Sequence, residues 1–575
     1  MAGVYAALWL LGLLAAAPAL RATERYALPD RLRDALVLGV TIPFVLGFLN
    51  LLYPAACWVV LALGIAVAYY RRGARSRPDA TTPEPPYLLI VALVLVGWPQ
   101  LMRPLLDGDS LSYHLPNAAA WVHAHGLWTT DPRYWWYPPA SELFAAALFA
   151  VSGPLTVAWS GFGALALIGF RIVAWARTQS AAPPWLADAL AAATVTAAPI
   201  ALQAGSLQND AWLAAFFLEA LWTIRQEPLA AARTLAVTAL IKPYGWIFAL
   251  LAAGTSKAPL RVWLAAAGAI GLWVAHDVGL WHGALVTPGS TSSANTWAST
   301  IVAHGLPALA LLARVSLRTS PFVLLALLAA VAGPAVARDD RRAIGWAAFA
   351  AIAFFLVMPL AYADRNPQLA TGASLRYAAP AIVLGALLLM RAAERAPRLA
   401  TGLLVASSAF GGASLVAIFW NDAPTRAAPA LAVIAACNVA VARAHRSPWP
   451  VPAGLALAIV ASWFMVARDP LAYYVDAARV GGKTSGVYAW IAREQPPVIG
   501  GWGLRIGTVN VLAPATRAFD LPEVAPCATA RSQGALLIAV VENDRTPASN
   551  ARRLAAARAC GRVRYDDATA VVSGG

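Results

Sequence analysis

Apolar windows of about 17 to 20 residues, each long enough to cross a bilayer as a helix, recur along most of this chain. Of its 575 residues, 60% are hydrophobic and only 12% are charged, which excludes an ordinary soluble enzyme and points to an all-α polytopic membrane protein. The formal net charge of +15 raises the question of nucleic acid. Its arginines, however, fall in short clusters between apolar spans, which is how cytoplasmic loops are marked, so membrane lipids and no nucleic acid are the expected partners. The first apolar segment, 3–20, has no basic stretch before it and no clean small-residue cleavage site after it, and reads as a first span.

The arginine clusters set the topology. Arg21, Arg25, Arg31 and Arg33 follow the first span, and Arg71, Arg72, Arg75 and Arg77 follow a hairpin of spans at 35–53 and 55–70, so both loops are expected inside. Residues 1–76 form this N-terminal group, and the Pro-rich stretch 77–86 is a linker. The span 87–102 then delivers Asp107 and Asp109 to the outer face. Segment 141–153 is too short to cross unaided and is expected to insert partly, within an outer loop 103–153. With that choice 154–174 runs inward to Arg177, 185–203 runs outward, and GSLQNDAW at 205–212 reaches the face of Asp109. Had 141–153 crossed, Asp210 would lie in the cytoplasm. Apolar runs 229–241 and 243–255 meet at Lys242-Pro243, a break that places an ammonium and free carbonyls near the outer face. A later outer loop, 363–380, holds Arg365 and Arg376, and spans at 427–443 and 451–467 bring the expected total to about sixteen. The membrane core thus covers 87–467 and leaves 468–575 outside.

The outer loop gathers carboxylates, histidines and aromatics just past a hydrophobic span, where a charge escapes burial in hydrocarbon. A short amphipathic helix over 113–125, with Trp121, Trp128, Trp135 and Trp136 nearby, is expected to lie in the interface plane. The run DSLSYHLPNAAAW, the YPP of Tyr137 to Pro139 and the QND at 208–210 resemble the GT-C class of polytopic membrane glycosyltransferases. That superfamily includes the protein O-mannosyltransferases and the lipid A aminoarabinose transferases. The helix pattern extends the likeness over roughly 87–400, and it says little about the substrate. The resemblance implies a sugar donor on polyprenyl phosphate, an acid in the first outer loop serving the acceptor, a second acid after a later span, and a basic residue near the lipid phosphate. Carried onto this sequence, these roles fall to Asp109 as general base, Asp210 as second carboxylate and Arg376 as phosphate ligand.

Each residue also has a plainer reading. Asp109 is placed to cap the helix after it, and Asp210 to start the apolar helix that follows Asn209. Asp107, two residues before Asp109, makes the pair a candidate for holding a divalent cation, although a monophosphate donor has little need of one, and no cofactor is assigned. Lys242 is a second candidate cation for the phosphate, against ordinary snorkelling for it and Arg376. Tyr113 and His114 are expected to orient the loop, with Tyr137 beside the substrate.

From about 468 the composition shifts. Helical 483–494, apolar 535–542, helical 548–560 and strand-like 562–572 point to a small α/β domain in the periplasm. Cys527 and Cys560 both fall there, as a disulfide or as two thiols, whereas Cys57 and Cys437 lie in spans. With this topology, the resemblance implies a glycosyltransferase of a bacterial inner membrane, acting on a glycan, lipid or protein hydroxyl at the periplasmic face. An O-antigen ligase or polymerase would carry an arginine-rich large loop that is missing here. A flippase or transporter would place ionisable groups at mid-membrane depth, whereas the acids considered above gather at one face.

Overall fold

The computed structural model describes residues 2–20, 27–73, 85–101, 105, 107–131, 136–179, 183–224, 226–280, 296–337, 342–358, 374–419, 485–541 and 546–574. Arg365, Trp135, Cys437 and the expected spans at 427–443 and 451–467 lie outside them. What is described is a helical bundle followed by a small α/β domain. By length and composition, five helical stretches among the described residues can cross a membrane: Ala2–Leu20, Pro54–Arg71, Pro154–Thr178, Leu260–Leu280 and Leu375–Ala393. Other apolar helices are shorter, among them Tyr87–Gly97, Ala140–Ser152, Gly245–Thr255 and Pro321–Val331. At 1.5 Å per residue, the 13 residues of Ala140–Ser152 span only about 20 Å, less than the hydrocarbon thickness.

The helix Asp210–Thr223 is the axis of the bundle. It packs against Trp159–Gln179, Pro228–Ala239 and Ala379–Ala393, and nearly every residue is buried, as the run AWLAAFFL, apolar on all sides, requires. Ala379–Ala393 is held against Pro321–Val331 at Gly385, where a Cβ would stand 2.0 Å from the Ala326 carbonyl oxygen. Small residues at such crossings let two helix backbones touch.

The outer-loop helix departs from expectation. Residues Ser110–His114 form one π-helical turn that runs on into Leu115–His123, and Leu115 through Trp121 are all buried. The helix packs on Ala140–Ser152, itself almost wholly buried, so protein covers both helices.

A second departure is a knot of five charges inside the bundle. Arg171 grips Glu219 through two hydrogen bonds, 2.6 and 2.8 Å, and Asp30 through a third at 2.6 Å. Arg33 bonds Asp34 at 2.8 Å and lies 3.8 Å from Glu219. The helices Leu28–Phe48, Trp159–Gln179 and Asp210–Thr223 are joined here. Acids therefore do not gather at one face alone. Glu219 follows Asp210 by nine residues, about 13 to 14 Å along the helix, and only apolar, buried residues lie between them from Ala211 to Leu218. On this helix no polar group links the knot to Asp210, so the knot reads as a staple, not as one end of a path.

In the C-terminal domain the strands β1 (Val498–Trp502), β2 (Arg517–Asp520), β3 (Leu536–Val540), β4 (Val563–Asp566) and β5 (Ala570–Ser573) form one sheet in the order β2-β1-β3-β5-β4. The first three are parallel, and β5 runs antiparallel to β3 and β4. The strand-like stretch 562–572 is in fact a hairpin, turned where Asp567 accepts from the amides of Thr569 and Ala570. Cys527 is bonded to Cys560, with their Cα atoms 5.4 Å apart, tying Pro526–Ser532 to the end of Pro547–Arg558.

Removing one member of a fully buried ion pair leaves its partner uncompensated. Glu219→Ala is expected to cost about 3–5 kcal/mol, read as a lowered unfolding midpoint in detergent micelles. An unchanged midpoint would mean that the knot does not hold the bundle.

Candidate active site

The turn that carries the first carboxylates is set by Asp107. Its Oδ1 accepts from the Ser110 amide at 2.8 Å and from Gln208 Nε2 at 3.5 Å. Asp109, the residue expected to cap this helix, makes no side-chain capping bond. The two acids have divided the roles: Asp107 caps, and Asp109 turns away from the helix. A π-helical turn widens the backbone ring by one residue, a feature often found at functional sites. Ser110 Oγ ties the turn to the QND loop by accepting from the Leu207 amide at 2.7 Å.

That loop in turn fixes Lys242. Asn209 Nδ2 donates to the Ile241 carbonyl at 3.0 Å, and the Leu240 carbonyl accepts from the Ala140 amide at 2.8 Å. Held in this way between Pro228–Ala239 and Gly245–Thr255, Lys242 Nζ reaches Asp210 Oδ1 at 2.5 Å. The Tyr244 hydroxyl donates to the same oxygen at 3.3 Å. Arg376 arrives from the short turn Leu375–Ala378 that opens Ala379–Ala393. Its Nη2 donates to Asp109 Oδ2 at 2.5 Å and to the Tyr377 hydroxyl at 3.1 Å. Its buried Nε lies 3.6 Å from Asp210 Oδ2 and has no hydrogen-bond partner among the described residues.

Asp109, Arg376, Asp210 and Lys242 therefore form an alternating chain of charge, drawn from four separate segments. Its members differ in access. The Asp109 side chain is 31% exposed and that of Arg376 18%, against 2% for Asp210. Asp210 is the buried anchor under two cations, and Asp109 is the end that a substrate can reach. The Tyr377 ring lies 5.0 Å from the Arg376 guanidinium and 5.4 Å from the Lys242 ammonium, and the Tyr244 ring 5.3 Å from the latter. Such contacts steady a cation without neutralising it.

Behind Asp109, His114 Nδ1 meets Glu142 Oε1 at 2.5 Å, and Ser141 Oγ donates to Glu142 Oε2 at 2.7 Å. Tyr113 stands between this group and the ion chain, 6.1 Å from the Tyr137 ring, edge to face. Burial pushes the Tyr113 phenol well above its ordinary value, with Asp109 adding to the effect and Arg376 opposing it, so Tyr113 stays a neutral donor. Burial likewise raises the Asp107 carboxyl, against the Ser110 hydrogen bonds.

Asp109, Asp210, Arg376 and Lys242 thus stand together, with Tyr113 and Tyr137 at their edge and Asp107 and His114 in support. Asp107 and Asp109 are turned to different partners, which does not suit a shared cation, and among the described residues no group of three or more His, Cys, Asp or Glu is arranged to hold a metal. The sequence reading passed over Tyr244, Tyr377 and Glu142. The first two carry a signal in their adjacency to chosen cations, in KPY and RY; Glu142 is the sole acid in an apolar run.

No family model matches the chain, and no curated protein does. Among solved structures it is similar to ArnT from Cupriavidus metallidurans bound to undecaprenyl phosphate, at 17% identity and a TM-score of 0.45. It is similar also to the same protein in the apo state, at 16% and 0.44. Each match covers 85% of this chain and 98% of that one. At this distance no residue role passes from one chain to the other.

An acid with a raised folded-state value holds its proton more tightly folded than unfolded. Its contribution to stability is complete below the unfolded value of about 3.9 and is lost as pH rises through the folded one. Asp107→Asn keeps the cap and removes the buried charge, so near neutral pH it is expected to melt at or above the wild-type temperature. Thermal unfolding against pH checks this: the gap should close in acid, and an Asn variant less stable at neutral pH would contradict it.

Proposed function

We propose that this chain is a membrane glycosyltransferase that moves a sugar from a polyprenyl-phosphate donor to an acceptor hydroxyl at the outer, periplasmic face. The observation that carries the reading is the chain Asp109, Arg376, Asp210, Lys242: two cations fixed by a buried carboxylate, with a second, exposed carboxylate beside them. The sequence likeness to GT-C enzymes points the same way.

The chemistry asks for little more. The donor phosphodiester binds Arg376 and Lys242, and a guanidinium and an ammonium side by side suit a phosphate. The acceptor oxygen attacks the anomeric carbon from the side opposite the phosphate, and its proton passes to Asp109. The bond from the anomeric carbon to the phosphate oxygen breaks with its electron pair, leaving polyprenyl monophosphate on the two cations. Configuration inverts in this single displacement. Asp210 keeps both cations in place while the leaving group gathers charge, which is stabilisation by a preorganised site.

In the resting arrangement Asp109 occupies the guanidinium that the phosphate needs. Donor binding exchanges one anion for another on Arg376 and releases the carboxylate for the acceptor, so the donor binds first. The flippase alternative lacks a comparable basis, since buried apolar side chains separate Asp210 from the inner knot along their shared helix.

Asp109→Asn is expected to lower sugar transfer from polyprenyl-phosphate sugar by about 10²–10⁴-fold, the usual range for a general base. The same variant should bind polyprenyl phosphate more tightly than wild type, because the competing anion is gone, whereas Arg376→Gln should bind it more weakly. Binding of polyprenol, which lacks the phosphate, should not distinguish the three. Undiminished transfer by Asp109→Asn would remove the base, and unchanged affinity would remove the exchange.

A further inference from the structure

The helix Ile506–Leu512 of the C-terminal domain has all of its residues buried, and it packs on the π-helical turn Ser110–His114 and on Leu115–His123. The contact is backbone to backbone. A Cβ on Gly507 would stand 2.5 Å from the Leu111 carbonyl oxygen and 2.6 Å from the Leu111 Cα. Those atoms belong to the main chain two residues past Asp109, so no side-chain adjustment relieves the clash, and only glycine fits.

Two further contacts hold the domain in this pose. Arg517, at the start of β2, grips Asp131 through Nε and Nη2 at 2.8 and 3.0 Å. His123 Nε2 meets the Pro514 carbonyl at 2.7 Å, and this bond sits at the far end of the helix that the π-helical turn begins. The turn is thereby held at one end by the Asp107 cap and along its length by a domain from the other end of the chain.

We infer that Gly507 is a positioning residue: the C-terminal domain sets the pose of the turn that presents Asp109 to Arg376, and its part in the reaction goes beyond covering the site. This rests on Asp109 being the base, as proposed above. A lid alters how acceptor enters, whereas a positioning element alters the chemical step once both substrates are bound.

The test uses the full chain in proteoliposomes with polyprenyl-phosphate sugar, measuring kcat, KM for each substrate and binding of polyprenyl phosphate. Gly507→Ala and Gly507→Val should lower kcat in that order, by up to about 10²-fold for Val, the loss that a displacement of about 1 Å can cause. The affinity for polyprenyl phosphate in both should stay at or rise above wild type, because a displaced Asp109 competes less for Arg376. Arg517→Asp loosens the same docking at a distance from Leu111, so it keeps the question open should Gly507→Val fail to fold. It should lower kcat more mildly, and Asp131→Arg added to it should restore the rate. A folded Gly507→Val with unchanged kcat overturns the inference. So does a loss confined to the acceptor KM, or an Arg517→Asp enzyme with full kcat. Failure of the reading it rests on would look different: the wild type would transfer no sugar, or Asp109→Asn would retain transfer, whatever the Gly507 variants did.

Discussion

A carboxylate buried as deeply as Asp210 must be paired, and its pairing organises one end of the bundle. The desolvation cost of an isolated charge runs to several kcal/mol, and two cations with a tyrosine hydroxyl offset it only if all arrive in register. Lys242 arrives because the helix pair around it is broken and its turn is hydrogen-bonded to Asn209 and Ala140. Arg376 arrives because a short turn precedes a helix packed closely at Gly385. Once those cations are fixed, the second guanidinium edge is available for one more anion. Asp109 takes that place at rest, and in the proposed reaction a phosphate takes it.

The inner knot of Arg33, Asp30, Asp34, Arg171 and Glu219 obeys the same rule for another end. Nearly sealed from solvent, it joins three helices through ion pairs. One helix, Asp210–Thr223, carries an acid of each group and connects them rigidly.

That Asp109, Asp210, Lys242 and Arg376 meet is legible in the sequence through the order of its apolar runs. The argument that 141–153 does not cross put Asp210 on the face of Asp109, and the Lys242-Pro243 break marked a cation near it. The division of labour between Asp107 and Asp109 could not be read, since either spacing suits an N-terminal cap and only the π-helical turn decides between them. In the sequence Arg33 reads as a topology marker and Glu219 and Arg171 sit unmarked inside apolar runs, because an ion cluster shared by three helices leaves no trace in local spacing. The burial of the helix Leu115–His123 is illegible for a related reason: its apolar face looks the same whether lipid or protein covers it. In the C-terminal domain β1 was missed, as its Gly500-Gly501 pair weakens the strand pattern, and that strand leads into the helix bearing Gly507.

The latch between Arg517 and Asp131 joins residues 386 positions apart in the chain. At about 5–20 residues per second, roughly 20 to 80 seconds of synthesis separate the two partners. Through that interval the loop bearing Asp109 stands without the helix that seats it. A nascent chain thus lacks the last support of that turn until the terminal domain has been made and folded.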